Sequence, residues 1–152
     1  MTDSAEQALY LAVQDALAEA PGFRLLTVLR FTADGEGLER LFSSNPRVYP
    51  ARGVKQVGQD RWLRHLLTVT GPQLSPDAEA VRRNFFDAQA IFDLGCESAL
   101  NLPILFQGRN LGSLNLLHRG HWYQPSDGAL CMPFANQIGA AWAASVNPRE
   151  FE

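Results

Sequence analysis

The stretch NLPILFQGRNLGSLNLLH, residues 101–118, decides the fold because it predicts a pair of neighbouring β-strands. Two apolar runs flank the sequence QGRN at residues 107–110, which is typical of a tight turn. The pattern therefore predicts a β-hairpin with strands over residues 98–106 and 111–118. A hairpin at this point implies that the second half of the chain contributes adjacent strands to an antiparallel sheet.

Each predicted strand carries one asparagine, Asn101 or Asn115, where a buried strand ordinarily carries an apolar side chain. Because side chains alternate between the two faces of a strand, the leucines share one face and the asparagines lie opposite them with Ser113. Both asparagines share this face only if the turn has an odd number of residues, which predicts a three-residue turn at residues 108–110. A buried amide without a hydrogen-bond partner costs about 1–3 kcal/mol, so this face predicts contact with water, with covering loops or with a ligand.

The first part of the chain predicts one long helix and two strands. Apolar residues recur at helical spacing over residues 3–19, and Pro21-Gly22 ends this helix. Residues 23–31 and 38–44 are rich in β-forming residues and flank a glycine-rich turn. Two prolines and two glycines in residues 45–58 predict a long loop.

Short helices are predicted before the hairpin, and one longer helix after it. Residues 59–68 predict a helix and residues 71–75 a brief strand. Residues 75–95 predict two helices, the first with Ser75 as its N-cap and Pro76 at its first position. The last helix, predicted over residues 127–145, has Ser126 or Asp127 as its expected cap.

This order of elements predicts an α+β fold in a single domain that spans residues 1–152. Strands that pair with their sequence neighbours form an antiparallel sheet. The two terminal helices have single apolar faces, so we expect them to cover one side of the sheet. The short helices and loops are expected to cover the other side. The predicted architecture is therefore a three-layer sandwich around a central antiparallel sheet.

Composition excludes several classes of function. The 152 residues are 46% hydrophobic and 19% charged, with a formal net charge of −3 and scattered arginines, so no nucleic-acid partner is expected. No apolar run approaches the ~20 residues of a membrane span. The N-terminal residues lack the basic and apolar regions of a secretory signal, and the two cysteines lie outside any CxxC motif. We therefore expect a cytoplasmic protein without a membrane partner.

Residues 94–145 resemble the C-terminal half of a GAF domain. The resemblance rests on the pair Pro103-Ile104, on the strand sequence LGSLNL at residues 111–116, and on an alanine-rich helix from Asp127 to Ala144. The N-terminal half matches the same family in its order of elements. The resemblance implies a sensor module that binds a small molecule between the sheet and the central helices. It also implies a homodimer through the terminal helices, here Asp3–Glu19 and Asp127–Ser145.

On this interpretation the ligand is small, largely apolar, and neutral or weakly polar. The expected pocket combines an apolar wall with a few polar anchors. The predicted ligand-binding residues are Ser43, Trp62, Phe85, Phe86, Ile91, Phe92, Cys96, Asn101, Ser113 and Asn115. No catalytic residue, metal ligand or particular cofactor is assigned, since His65, His118 and His121 show no metal-binding spacing.

Several alternatives depend on the type of GAF domain. The residue set of cyclic-nucleotide GAF domains is not reproduced, and neither Cys96 nor Cys131 is followed by the histidine common in bilin-attaching domains. A thiol-dependent reductase similar to the free methionine-(R)-sulfoxide reductases would use Cys96, although no well-placed resolving cysteine accompanies it. An interaction module with a collapsed pocket is the third hypothesis. The sequence favours a non-catalytic, ligand-binding sensor.

Overall fold

The computed structural model describes residues 3–145, which form five helices and six strands. The predicted domain 1–152 also includes residues 1–2 and 146–152, which lie outside the described residues. In chain order the elements are α1 (Asp3–Glu19), β1 (Leu25–Phe31), β2 (Gly37–Ser43), β3 (Val54–Gln56), α2 (Arg61–Thr68), β4 (Gln73–Ser75), α3 (Ala78–Asn84), α4 (Ala88–Asp93), β5 (Ser98–Phe106), β6 (Arg109–His118) and α5 (Pro125–Ala144).

The six strands form one antiparallel sheet in the order β3-β2-β1-β6-β5-β4. The hairpin β5-β6 pairs with β1, so the two halves of the chain meet inside the sheet. Strand β3 lies within the segment for which the sequence predicted a loop, and it pairs with β2 at one edge of the sheet. The predicted α+β three-layer sandwich is confirmed.

The face of the sheet toward α1 and α5 is aliphatic and buried. Leu100, Leu102 and Ile104 of β5 pack there, together with Leu114 and Leu116 of β6. The helices contribute the larger side chains of this cluster, which are Tyr10, Val13, Leu17, Ile138 and Trp142. This is the side that the sequence alternation predicted for the terminal helices.

The opposite face is covered by α2, α3 and α4, and its packing is divided into two smaller apolar clusters. Val81 and Ile91 pack against Leu117 in one cluster, while Leu63 and Leu38 pack together in the other. Polar side chains occupy the sheet between these clusters. The division leaves room for a site at the middle of this face.

The turn of the β5-β6 hairpin differs from the predicted three-residue turn. Phe106 pairs with Arg109, so the turn contains only Gln107 and Gly108, which have φ angles of 50° and 78°. Two residues with positive φ match the twist that favours tight hairpins. The strand β6 therefore begins at Arg109, and a bulge at Leu111 restores the parity that a two-residue turn alone would reverse. Asn101 and Asn115 consequently share a face, as predicted, but for a different reason.

Two predicted helix caps are wrong. Helix α3 is capped by Asp77, whose side chain accepts a hydrogen bond from the Ala80 backbone N–H. Ser75 cannot cap it because its backbone pairs with Ala99 in the sheet. Helix α5 begins at Pro125 after the N-cap Gln124, and Asp127 accepts from the Gln124 backbone N–H at 2.8 Å from inside the first turn.

Helix α5 approaches β5 so closely that it requires glycine at the contact. A methyl group at Gly139 would lie 2.2 Å from the carbonyl oxygen of Leu105. That oxygen is backbone, so it cannot rotate away. A methyl group at Gly71, by contrast, would meet no atom within 4 Å.

Gly139→Ala is expected to lower the free energy of unfolding by about 1–3 kcal/mol, because the added methyl group forces α5 away from the sheet. Gly71→Ala is the matched control, with an expected change within about 0.5 kcal/mol. Urea denaturation followed by circular dichroism measures both. Equal stability of the two variants would contradict the close contact between α5 and β5.

Candidate functional site

A cavity of about 100 Å³ lies between the polar middle of the sheet and the cover formed by α2, α3, α4 and the segment 45–58. The sheet contributes Thr27, Arg40, Asn101 and Asn115 to its wall. The cover contributes mainly aromatic and aliphatic side chains, among them Trp62, Phe85, Phe86, Leu63 and Ile91. The result is an apolar wall with polar groups concentrated on the sheet.

The structure brings part of the predicted residue set to this cavity. The predicted residues on its wall are Trp62, Phe85, Phe86, Ile91, Asn101 and Asn115. The predicted residues that do not line it are Ser43, Phe92, Cys96 and Ser113.

The residues outside the cavity wall have other contacts. Ser43 Oγ accepts a hydrogen bond from the Asn45 backbone N–H at 3.1 Å, and Phe92 packs under the Arg82 guanidinium. Ser113 Oγ donates to Asn115 Oδ1, so it supports a residue of the cavity wall without lining the cavity itself. Cys96 is completely buried in the apolar cluster beside the cavity, and this burial raises the pKa of its thiol.

The two asparagines are paired with each other across the strands. Asn101 Nδ2 donates to Asn115 Oδ1 at 2.7 Å, and Ser113 Oγ donates to the same oxygen at 2.6 Å. Asn115 Nδ2 donates in turn to Thr27 Oγ1 at 3.1 Å. Thr27, Asn115 and Asn101 stand in one row across β1, β6 and β5. Most of the side-chain hydrogen-bonding groups on the polar face are therefore paired within this single row.

Three buried side-chain atoms of the described residues remain without hydrogen-bond partners. Among the described residues, the buried side-chain nitrogen and oxygen atoms that lack a hydrogen bond are Arg40 Nε, Trp62 Nε1 and Asn101 Oδ1. All three residues line the same cavity. Buried polar groups are nearly always paired, so a cavity whose lining residues carry two unused donors and one unused acceptor is unusual.

A hydrogen bond crosses the cover of the cavity. Tyr49, from the segment 45–58, donates its hydroxyl to Asp87 Oδ2 at 3.1 Å, and Asp87 stands immediately before α4. Burial, followed by the charge of Asp87 and this hydrogen bond, raises the pKa of Tyr49, so its hydroxyl stays protonated as the donor. The Arg40 guanidinium stacks on the Tyr49 ring with its carbon 4.9 Å from the ring centroid. These contacts join the loop segment to the helices over the cavity.

Arg40 is the cavity residue that is hardest to predict from the sequence pattern. Strict alternation along β2 places Arg40 on the same face as Phe42, which packs in the core under the terminal helices. A bulge at Leu41 breaks the alternation: Phe42 pairs with Val28, whereas Arg40 pairs with Leu29. Arg40 is thereby turned toward the cavity. Tyr49 was missed for another reason, since a loop gives no periodic signal.

Other kinds of site find no support in the described part of the chain. Within residues 3–145, no three His, Cys, Asp or Glu side chains are grouped so that they could hold a metal ion. Over the same residues, every helix is too short or too polar to cross a bilayer.

Fold and cavity together define a small, antiparallel α+β domain with a ligand-sized space between its sheet and a helical cover. No family model matches the chain, and no curated protein matches it in sequence. Among solved structures, the GAF domain of a phosphoenolpyruvate-protein phosphotransferase from Coxiella burnetii is similar, with 20% identity and a TM-score of 0.71, covering 92% of this chain and 84% of that one.

Two further solved structures agree. A GAF domain/HD domain protein from Geobacter sulfurreducens has a TM-score of 0.72 at 11% identity, covering 95% of this chain and 97% of that one. Residues 122 to 287 of a methyl-accepting chemotaxis protein give a TM-score of 0.72 at 18% identity, covering 94% and 90%. The chain has the GAF domain fold.

The asparagine pair predicts effects of different size for two similar substitutions. Asn101→Leu removes an orphaned oxygen, and Asn115 Oδ1 keeps its bond from Ser113, so the free energy of unfolding should change by less than about 1 kcal/mol. Asn115→Leu leaves the Asn101 amide, the Ser113 hydroxyl and the Thr27 hydroxyl without their hydrogen-bond partner. It should therefore lower the free energy of unfolding by about 1–3 kcal/mol or more.

Urea denaturation of the two variants beside the parent chain measures this difference. Each substitution introduces the same side chain on neighbouring strands, so each serves as the control for the other. A loss of stability at Asn101 as large as that at Asn115 would contradict the assignment of Asn101 Oδ1 as unpartnered.

Proposed function

We propose that this chain is a sensory domain that binds a small molecule in the cavity beneath α2, α3 and α4. The observation that carries the proposal is the gathering of three unpartnered buried polar atoms, on Arg40, Trp62 and Asn101, at one apolar cavity. Leaving such groups unbonded costs about 1–3 kcal/mol each, and a ligand that bonds to them recovers this energy on binding. The occurrence of the same fold in a methyl-accepting chemotaxis protein supports a sensory role.

The cavity wall suits a ligand that is mostly apolar. Trp62 and Phe85 pack together with ring centroids 5.8 Å apart, and Leu29, Leu63 and Ile91 add aliphatic surface. The polar anchors are few and lie on rigid strands or at the start of a helix. This combination gives affinity through burial and orientation through hydrogen bonds.

The terminal helices supply a second part of the proposal, which is a homodimer through Asp3–Glu19 and Pro125–Ala144. Their outward faces carry Leu11 and Leu130, which are 49% and 47% exposed. Pairing of these helices would cover both leucines. A dimer would also give the domain a surface through which occupancy of the cavity reaches another copy.

Native mass spectrometry of protein purified without added ligand tests the proposed function. The expected result is a reproducible mass excess under gentle conditions that disappears on denaturation, carried by a complex of two chains. Asn101→Leu, which places a leucine in the cavity wall, is expected to lose the mass excess while remaining folded. The parent chain would contradict the sensor if it showed a bare mass, that is, the mass of the protein alone, both as purified and after incubation with a library of small molecules. That result would favour an interaction module.

The positions of the two cysteines do not favour the reductase hypothesis. Cys96 packs in the cluster beside the cavity, whereas Cys131 packs in the core under the terminal helices, so the sheet stands between the two thiols. Burial raises the pKa of both, that of Cys131 to about 12. A thiol is nucleophilic only as the thiolate, and these environments disfavour it.

Thiol accessibility provides a direct prediction. At pH 8 the folded protein should react with a disulfide reagent such as dithionitrobenzoate at least tenfold more slowly than a free thiol, because both cysteines are buried and protonated. In denaturant both should react at the ordinary rate. Cys96→Ser serves as the control, with a single thiol released on unfolding. Rapid reaction of Cys96 in the folded chain would contradict its burial and support redox chemistry.

A further inference from the structure

Arg40 is a half-buried cation on the sheet side of the cavity. None of the carboxylates among the described residues forms an ion pair with it. Its Nη1 donates to the Pro50 carbonyl oxygen at 3.0 Å, and its Nε has no partner. Asp87 also lines the cavity and its charge acts on Arg40 through space, but its carboxylate bonds to the Tyr49 hydroxyl and not to the guanidinium. A guanidinium partly removed from water with an unbonded Nε–H is costly, so this position favours a bound acceptor, and a negatively charged acceptor forms the stronger hydrogen bond.

Trp62 places a second donor at the same cavity, on the side of the helical cover. Its indole Nε1–H is buried and unbonded, and the ring stacks on His65 and packs at a tilt against Phe85. An indole nitrogen only donates, and so does a guanidinium. Arg40 and Trp62 therefore both require an acceptor from the molecule in the cavity. A carboxylate has two oxygens, each able to accept such a bond.

The approach to the cavity is also positively charged. A surface groove of about 1110 Å³ shares Trp62, Phe85 and Phe86 with the cavity, so it adjoins the cavity and is called the mouth here. Its charged lining consists of Lys55, Arg61, Arg82, Arg83 and Asp60, with His65 beside them. The Asp60 carboxylate caps α2 by accepting from the backbone of Trp62 and Leu63. A concave surface with this excess of cations raises the local concentration of anions.

We propose that the ligand is a small monocarboxylate with an apolar body, an inference that rests on the proposed function. The carboxylate accepts from Arg40 Nε–H and Trp62 Nε1–H, and the body packs against Leu29, Leu63 and Ile91. Asn101 Oδ1 accepts from a hydroxyl group of the ligand or from a water bound with it. A cavity of about 100 Å³ is smaller than the ~150 Å³ cavity that holds benzene, which limits the body to a short aliphatic chain.

This ligand class differs from the neutral molecule expected from the sequence. The difference arises mainly from Arg40, which the bulge at Leu41 turns toward the cavity. With only the asparagines and aromatic residues on the wall, a neutral ligand would be sufficient.

Calorimetric titration with 3-methylbutanoate and with 3-methylbutanamide at low salt tests the proposal, since the two probes differ in charge but hardly in shape. The acid is expected to bind at least tenfold more tightly than the amide. Arg40→Gln should reduce the affinity for the acid at least tenfold and leave that for the amide within threefold. Arg119→Gln removes one positive charge outside the cavity and mouth and should change neither affinity by more than about twofold.

Trp62→Phe is the second variant, because it removes the indole N–H while keeping an aromatic ring. It should weaken binding of the acid about fivefold even if Arg40→Gln fails to fold. Equal binding of acid and amide, or unchanged acid binding in both variants, would overturn the carboxylate but leave the small-molecule sensor intact. Absence of binding by both probes would also overturn it, whereas the sensor itself fails only on a bare mass in native mass spectrometry.

Discussion

The hydrogen bond between Asn101 and Asn115 is the contact on which the site depends. It joins the adjacent strands β5 and β6, and it forms only when the asparagines stand directly opposite each other. A shift of register by one residue would turn one amide toward the aliphatic core under α1 and α5, where it has no polar partner. The pairing therefore fixes the register of the hairpin and, with it, the face that becomes the cavity floor. The same constraint explains why amides are placed in an otherwise apolar sheet.

Two bulges shape the cavity as much as its side chains do. The bulge at Leu111 keeps both asparagines on one face despite the short turn, and the bulge at Leu41 turns Arg40 to that face as well. A bulge reverses the alternation of a strand at one point and costs only a local disruption of the ladder. The two bulges thus bring Asn101, Asn115 and Arg40 to one face of the sheet. Strands without bulges would present these side chains on different faces.

These irregularities also mark the limit of what the sequence predicts. The order of elements, the two covered faces and the polar row around Asn101 follow from spacing and residue type, because burial imposes a regular period on strands and helices. Ser75 was misassigned as a helix cap because a local pattern does not reveal that its backbone pairs in the sheet. Arg40 and Tyr49 were missed because their positions depend on a bulge and on a loop contact, neither of which leaves a periodic trace. Sequence reasoning therefore identified the amide and aromatic parts of the cavity wall but not its charge.

The contact between Gly139 and the Leu105 carbonyl has a mechanical consequence. Backbone rests against backbone there, with no flexible side chain between α5 and β5 to absorb a displacement. The same strand presents Asn101 to the cavity four residues before Leu105. A displacement of β5 at the cavity floor would therefore reach α5, and with it the outer surface of the domain, without first being taken up by side-chain rearrangement at this contact.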